Sequence, residues 1–246
     1  MTPNRKGLIH IAVAMVLVAP LSVAHAFIPG KWNPMDAYVK GATKGGPRAL
    51  IVTDPKGKVR QSAEFQYDAT GRLIKEVYID SAGKKDGSTA YEYRGGKVST
   101  EKLFNKQGKV VENKTYLYSA GKLSGIQVTN DKNQEIMSID YKRKGGMIHI
   151  AEEKRDRTLD RIVFEYKKDR LDHIIVKDDS GNVLSKTKYE YDRDGRLVKR
   201  ERFQGGRRFA CKYIYQPNGR VAGYEYLNFN PERNQWQLVK RLKFKY

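Results

Sequence analysis

Cysteine and histidine are scarce in this sequence, and their scarcity limits the chemistry that it can carry. Cys211 is the only cysteine in the 246 residues, so an intramolecular disulfide is excluded. Cys211 lies on the aromatic-bearing side of a predicted strand, which favours a buried, inert thiol over a nucleophile. Only His149 and His173 follow residue 26. Asp172 precedes His173, but neighbours in a strand point to opposite faces, so no orienting dyad is predicted.

Motifs for catalysis and for metal binding are also missing. The sequence contains no Gly-x-Ser-x-Gly elbow, His-Glu-x-x-His helix or phosphate-binding loop. The acidic runs 131–135 and 192–195 lack the further ligands of a calcium loop, which favours plain turns. We therefore predict a non-enzymatic protein with no cofactor and no bound metal. An enzyme would need a cleft that gathers His149 or His173 with carboxylates.

A long apolar run occurs only at the N-terminus. Arg5 and Lys6, the apolar stretch Leu8–Val23 and the small-residue site Ala24-His25-Ala26 are the three parts of a secretory signal peptide. The apolar stretch is only about fifteen residues long and is interrupted by a histidine and a proline, whereas a spanning helix needs roughly 20. We therefore expect residues 1–26 to be removed, no transmembrane segment in the mature chain, and an exported protein in the periplasm or outside the cell.

Acidic residues are far fewer than basic residues in this sequence. The sequence has 48 Lys and Arg against 28 Asp and Glu, a formal charge of +20, and removal of residues 1–26 with their two cations leaves +18. Such an excess favours anionic partners, such as an acidic glycan or an envelope surface, and makes their binding salt-dependent. Export makes nucleic acid a poor candidate, so no nucleic-acid partner is expected. Equally open is the alternative that a lysine-rich surface only keeps an exposed sheet soluble.

A repeat of about 25 residues runs through the rest of the chain. Each copy has an aromatic-x-aromatic pair, a short polar turn with glycine, a basic residue and an apolar residue. A second polar turn halfway through most copies leaves two stretches of about eight residues, so each repeat is predicted to be a β-hairpin. We expect at least two turn geometries, with a bulge at glycine in the longer turns. The second aromatic recurs at Tyr67, Tyr93, Tyr118, Tyr141, Tyr166, Tyr191 and Tyr215.

The predicted fold is all-β. Residues 49–246 are expected to form an elongated or spirally wound antiparallel meander of about seven to eight hairpin repeats, and a Pro- and Gly-rich lead-in at 27–48 is expected to cap its N-terminal end. An outer-membrane barrel is disfavoured because stretches such as 73–80 carry charge on both faces, and a lipid-facing Lys or Arg costs about 2–4 kcal/mol at the midplane. The same charges disfavour a two-sheet sandwich.

These repeats resemble the YD repeats of the Rhs family. The segments Tyr67 to Ile74 and Tyr191 to Val198 match the Tyr-Asp-x-x-Gly-Arg-Leu core, and five further copies mostly keep the tyrosine, basic and apolar positions. The resemblance implies a repeat array that binds carbohydrate or cell surfaces, or one that winds into a shell around a toxic cargo. We find no cargo domain or self-cleaving core segment after the array, so the resemblance favours surface recognition.

The candidate ligand-binding residues share one position in the repeat. A basic residue follows the same turn in successive copies, and stacked hairpins would place equivalent residues roughly 10 Å apart, about one Debye length, so that their fields overlap. Tyrosine rings beside them can stack on sugars and use their hydroxyls for hydrogen bonds. The basic residues are Arg72, Lys97, Lys122, Arg170, Arg196 and Arg220, and the tyrosines are Tyr67, Tyr93, Tyr118, Tyr191 and Tyr215.

We therefore hypothesise an exported, non-enzymatic binding or scaffold protein that engages anionic carbohydrate or the cell-envelope surface through this basic, tyrosine-flanked turn edge. A purely structural explanation of the same residues is that Gly-Arg and Gly-Lys are good turn exits and that the tyrosines pack on one another. The alternative function is a protein–protein interaction module, such as an inhibitor or a toxin-associated partner, that uses exposed sheet edges.

Overall fold

A computed structural model describes residues 46–246 as sixteen antiparallel strands that close into a barrel. The predicted signal peptide, 1–26, and all but the last three residues of the lead-in, 27–48, lie outside the described residues. Each strand pairs with its neighbours in sequence. The strands are β1 Ala49–Thr53, β2 Val59–Tyr67, β3 Leu73–Asp80, β4 Lys85–Arg94, β5 Lys97–Phe104, β6 Val110–Ser119, β7 Lys122–Asn130, β8 Glu135–Lys144, β9 Met147–Arg155, β10 Thr158–Lys167, β11 Arg170–Lys177, β12 Val183–Tyr191, β13 Leu197–Gln204, β14 Arg207–Tyr215, β15 Val221–Asn230 and β16 Gln235–Lys245.

Closure of the sheet shows that the predicted open meander or spiral is wrong, although the antiparallel hairpins are present. The first strand pairs with the last, from Ala49 opposite Lys245 to Thr53 opposite Arg241. The charge argument against a lipid-facing wall has no bearing on closure, because a barrel can also close with its apolar face inward. Within the described residues the sheet offers no free edge strand, so a partner cannot extend it in the way that the protein–protein alternative requires.

The apolar side chains face the inside of the barrel. Residues directly opposite each other in a ladder share a face, and the row formed by Leu50, Ala63 and Tyr78 across β1, β2 and β3 is buried throughout. Phe164 on β10 and Tyr224 on β15 are fully buried as well. Charged and exposed side chains occupy the outer wall, for example Glu64, Glu92, Lys142, Lys186 and Lys212.

A β-bulge after each aromatic turn explains why the alternation is irregular in the sequence. In β3, Leu73 pairs with Tyr67 and Lys75 pairs with Gln66, so Ile74 is an extra, exposed residue that shifts the phase by one. This bulge lies one residue beyond the apolar position and follows long and short turns alike. The bulged residues are Ile74, Ser99, Ser124, His149, Asp172, Val198 and Ala222. The predicted bulge at glycine occurs as well, in the longer turns only, where Gly71, Gly195 and Gly219 have φ values of 80–85°.

Two turn geometries occur, as the variable spacing indicates. In the longer turn at 68–72, the Asp68 amide donates to the Arg72 carbonyl and the Gly71 amide donates to the Asp68 carbonyl, both at 2.9 Å. In the shorter turn, Gly95 and Gly96 have φ values of 56° and 74°, a backbone that suits the twist of a two-residue hairpin. Both geometries bring the basic residue to the same place at the start of the next strand.

Candidate binding site at the tyrosine rim

The seven aromatic turns lie together at one end of the barrel. Every strand is antiparallel to its neighbours, so alternate turns of the chain lie at the same end. We call this end the tyrosine rim and the other end the opposite rim. All six predicted basic residues belong to the tyrosine rim, and the five predicted tyrosines lie immediately before its turns. The tyrosine rim consists of the turns 68–72, 94–97, 119–122, 144–147, 167–170, 192–196 and 216–220.

The rim tyrosines join each hairpin to the one before it. The Tyr93 hydroxyl on β4 donates to the Leu73 carbonyl at the start of β3, at 2.7 Å. Backbone pairing between these strands ends at Lys75 opposite Ala90, so the hydroxyl extends the contact beyond the last residue pair. The equivalent bonds, 2.7–2.9 Å long, join Tyr67 to Pro47, Tyr118 to Val98, Tyr166 to Ile148, Tyr191 to Leu171, Tyr215 to Leu197 and Tyr246 to Val221.

The basic residue of one hairpin covers the tyrosine ring of the next. The Arg72 guanidinium carbon lies 4.9 Å from the centroid of the Tyr93 ring, a cation–π distance. The predicted basic residues and tyrosines are therefore neighbours in columns at the rim. The other pairs are Lys97 on Tyr118 at 5.3 Å, Arg170 on Tyr191 at 5.8 Å, Arg196 on Tyr215 at 5.3 Å and Arg220 on Tyr246 at 5.2 Å.

An aspartate positions the cation in the two copies with the full Tyr-Asp-x-x-Gly-Arg-Leu core. The Arg72 Nε donates to Asp68 Oδ2 at 2.7 Å, and Arg196 makes the same bond to Asp192 at 2.7 Å. Hydrogen bonds from Thr70 and Arg72 hold the pKa of the Asp68 carboxyl well below its usual value. The motif thus forms a chain of contacts from aspartate to arginine to the tyrosine of the following hairpin.

The fourth hairpin replaces the rim tyrosine with an arginine. The sequence alignment places Tyr141 in this role, but Arg143 lies opposite Ile148, where the other copies have their second aromatic. The Arg143 Nη2 donates to the Leu123 carbonyl at 3.0 Å, as the tyrosine hydroxyls do elsewhere. The prediction that Tyr141 is the second aromatic residue of this copy is therefore wrong by two residues, because the repeat pattern expects an aromatic residue where this copy has Arg143.

The rim tyrosines serve mainly to stabilise the fold. They are half-buried, and burial raises the pKa of Tyr93, Tyr118 and Tyr191 to about 12. Each of these rings has a cation near its face and a hydroxyl bonded to the backbone, so a sugar would have to displace the cation in order to stack there. The groups that the rim offers to a ligand are therefore its cations.

The two rims differ in charge. The seven turns of the tyrosine rim contain eleven Lys and Arg against four Asp, whereas the eight turns of the opposite rim contain ten against seven acidic residues. Sequence reasoning missed about half of the cations of the tyrosine rim, because they precede the turn or lie within it instead of following the glycine. The missed cations, all exposed, are Arg94, Lys144, Lys167, Lys168 and Arg193.

The histidines lie on the outer wall. Asp172 Oδ2 lies 2.9 Å from His173 Nδ1, so the prediction that the two side chains point to opposite faces is wrong. The cause is the bulge at Asp172, which sets both side chains on the same face, where His173 pairs with Lys188. His149 is an exposed bulge residue.

Residues 46–246 contain no cluster of three or more His, Cys, Asp or Glu side chains suited to a metal ion. No helix in this part of the chain has the length and apolar character needed to cross a membrane. Cys211 is buried, 2% exposed, as its strand position predicts.

Comparisons with known proteins identify no family for this chain. No family model matches the chain, and no curated protein matches it. A porin-like protein from Bacteroides uniformis is 11% identical with a TM-score of 0.39, over 81% of this chain and 96% of that chain. A porin-like protein from Bacteroides vulgatus is 14% identical with a TM-score of 0.38, over 80% of this chain and 97% of that chain. At these scores the likeness carries no argument about function.

Proposed function

We propose that this chain is an exported, non-enzymatic barrel that binds an anionic carbohydrate or another polyanion of the cell envelope through the cations of the tyrosine rim. The observation that carries the proposal is the surplus of eleven cations over four aspartates at that rim. Equivalent positions in successive hairpins are two strands, roughly 10 Å, apart, which is about one Debye length at physiological salt. A closed barrel arranges these positions in a ring of overlapping positive potential, which suits a ligand with repeated negative charges.

The outer wall supports a location in water. It carries exposed Lys, Arg and Glu side chains on most strands, such as Glu92, Lys142 and Lys186. In contact with lipid, each lysine or arginine near the midplane would cost about 2–4 kcal/mol. We accordingly place the protein in the periplasm or outside the cell, and we keep its relation to YD repeats as part of the proposal, since the Asp–Arg–Tyr contacts give that motif a physical role.

The test is retention on a heparin column under a rising salt gradient. The rim variant combines Arg94→Glu, Lys122→Glu and Lys144→Glu, three exposed cations that form no ion pair within residues 46–246. A matched control combines Lys56→Glu, Lys106→Glu and Lys132→Glu, three exposed cations of the opposite rim. Both triple variants change the net charge by the same amount, so a difference between them reports position.

We expect the rim variant to elute at clearly lower salt than the control, and the control to elute close to the unmodified protein. Equal shifts for both variants would show that only net charge matters and would overturn the assignment to the tyrosine rim. A glycan array run with the same three proteins then identifies which anionic carbohydrates lose binding in the rim variant alone.

A further inference from the structure

Three basic residues of β13 and β16 face the inside of the barrel, unlike the rim cations. Arg200 lies opposite Tyr189 and Cys211, both of which belong to the buried core, so its side chain is directed inward. Arg202 is two residues further along β13 and shares that face. Lys240 lies in the same row as Arg200, two strands beyond Cys211. This part of the interior therefore has a positive character.

Arg202 lacks a counterion. Its Nη2 donates to the Ser185 hydroxyl at 3.4 Å, a long hydrogen bond, and its Nε is buried with no hydrogen-bond partner. Within the described chain no carboxylate forms an ion pair with Arg202, and burial together with the charge of Arg200 lowers its pKa. A desolvated guanidinium without an anion is costly, which indicates that the site is built for something that supplies negative charge.

A buried hydroxyl lies beside this guanidinium. Tyr189 is 3% exposed, and its OH has no hydrogen-bond partner. Tyr189 is opposite Arg200, and Thr187, two residues earlier on β12, is opposite Arg202, so the tyrosine and Arg202 are diagonal neighbours on the same face. Each of the two groups also affects the pKa of the other, so they lie within electrostatic range, and the buried Tyr189 O–H and Arg202 N–H both lack an acceptor.

Solvent reaches this row from the opposite rim. Arg202 lies opposite Phe209, and the row continues through Asn228 to Gln237. Both amide side chains are exposed although they lie on the inward face of the sheet. The row is therefore open at the β15–β16 side, where it ends in two amide side chains.

We propose that the interior of the barrel at β12 and β13 holds a binding site for a small oxyanion, a phosphate or sulfate group, with Arg202 as its main ligand and with Ser185 and Tyr189 as hydroxyl donors. A guanidinium pairs with two oxygens of such a group, and the two hydroxyls supply further donors. Arg200 and Lys240 raise the local positive potential. The site lies inside the barrel, uses none of the cations of the tyrosine rim and does not depend on the function proposed for that rim.

The test is thermal unfolding and calorimetric titration of the protein with sodium sulfate and with sodium phosphate, against sodium chloride at equal ionic strength. The variants are Arg202→Gln and Tyr189→Phe, and the control is Arg207→Gln, an exposed residue in the turn between β13 and β14. We expect saturable binding to the unmodified protein and to the control. We expect at least tenfold weaker binding to Arg202→Gln and about three- to tenfold weaker binding to Tyr189→Phe.

The folded state of the variants is checked in chloride alone. Arg202→Gln should melt at or above the temperature of the unmodified protein, because it removes a desolvated cation. Tyr189→Phe keeps every charge and gives an independent measure if Arg202→Gln proves unstable. Non-saturable stabilisation that is equal in all proteins would indicate a general salt effect, and saturable binding that survives in both variants would place the anion elsewhere; either result overturns the proposal.

Discussion

A single hydroxyl group accounts for one contact between hairpins at the tyrosine rim. The Tyr93 hydroxyl donates to the Leu73 carbonyl where backbone pairing between β3 and β4 has ended. Tyr93→Phe removes this bond and keeps the ring under Arg72. Because Leu73 is buried, its carbonyl is left without this donor, and we expect a loss of about 1–3 kcal/mol in the free energy of unfolding, measured by urea titration.

Arg94→Gln is the control for this change, since Arg94 is exposed on the same rim. It should leave the free energy of unfolding within about 0.5 kcal/mol of the unmodified protein. If Tyr93→Phe is as neutral as the control, the hydroxyl does not hold the hairpins together, and the role assigned to the rim tyrosines is wrong.

A buried glutamate in the interior makes stability depend on pH. Burial raises the pKa of Glu76 to about 7, and the nearby charge of Glu101 acts in the same direction. Hydrogen bonds from Tyr91 at 2.8 Å and Tyr78 at 3.1 Å, with the charge of Lys114, oppose the shift only in part. The folded protein therefore keeps a proton on Glu76 at a pH where the unfolded chain has already lost it.

The sign of the effect follows from proton binding. Between about pH 4.5 and 7 the folded state binds more protons at this site than the unfolded state, so stability falls as the pH rises through that window. Glu76→Gln should flatten this dependence by on the order of 3 kcal/mol and should stabilise the protein at pH 8. Unfolding midpoints from pH 5 to 8 measure it, with the exposed Glu92→Gln as the control. A slope that is unchanged in Glu76→Gln would contradict the assignment.

At the scale of the strands, one glycine allows two neighbours to approach closely. A Cβ at Gly223 in β15 would overlap the Leu242 carbonyl of β16, and this carbonyl belongs to the backbone and cannot rotate away. Gly223→Ala should therefore separate the two strands and cost about 3 kcal/mol or more of unfolding free energy.

Gly206→Ala separates this crowding from the effect of backbone conformation. Gly206 has a φ of 72°, but nothing lies within 4 Å of the position that its Cβ would occupy, so only the strain of a left-handed residue remains, about 1–2 kcal/mol. Urea titration of both variants compares the two costs. Equal losses would mean that the strands do not approach as closely at Gly223 as the structure indicates.

The hairpins of this fold are predictable from the sequence, but the bulges that follow its aromatic turns are not. Hairpins such as β4–β5 are predictable because Gly95 and Gly96 mark a two-residue turn between β-rich stretches. These bulges are not predictable from the sequence. An extra residue such as Ile74 changes which of the following side chains point inward, but it leaves the amino-acid composition of the strand typical of any β-strand. Strict alternation without the bulge therefore predicts charges on both faces and an interrupted apolar face.

The candidate site is also predictable only in part: the sequence predicts where the rim cations lie, but not what they contact. The 25-residue period predicts that Arg72, Lys97 and the following cations share one end of the molecule, and the structure places them at the tyrosine rim. The period does not predict that these cations cover the tyrosines of the next hairpin, because that contact depends on the stagger between strands. The inward cation Arg202 gives no sequence signal, since β13 alternates basic residues on both faces.

At the scale of the whole molecule, the same contacts between neighbouring hairpins are compatible with an open sheet or a closed barrel. Each hairpin contacts only its neighbours, so nothing in one repeat states how many must follow before the first and last strands meet. Closure depends on the summed twist and stagger of sixteen strands, which no single segment carries. The pairing of β1 with β16 is therefore the feature of this fold that most needs a direct test.

Cross-linking of the closing strands provides that test. In a Cys211→Ser background, which removes the only native thiol, Ile51→Cys and Lys243→Cys lie directly opposite each other on the outer wall. We expect a short bifunctional thiol reagent to join them within one chain, seen as faster migration on a denaturing gel. Because the link closes a loop that spans nearly the whole described chain, unfolding should become harder by up to about 5 kcal/mol.

The pair Ile51→Cys and Lys154→Cys is the matched control, because Lys154 is on β9, half-way round the barrel. This pair should give little cross-linked monomer under the same conditions. In an open meander β1 and β16 would be the most distant strands, so Ile51→Cys with Lys243→Cys would react less than the control. That order of yields would rule out the closed barrel, and with it the ring of cations on which the proposed binding depends.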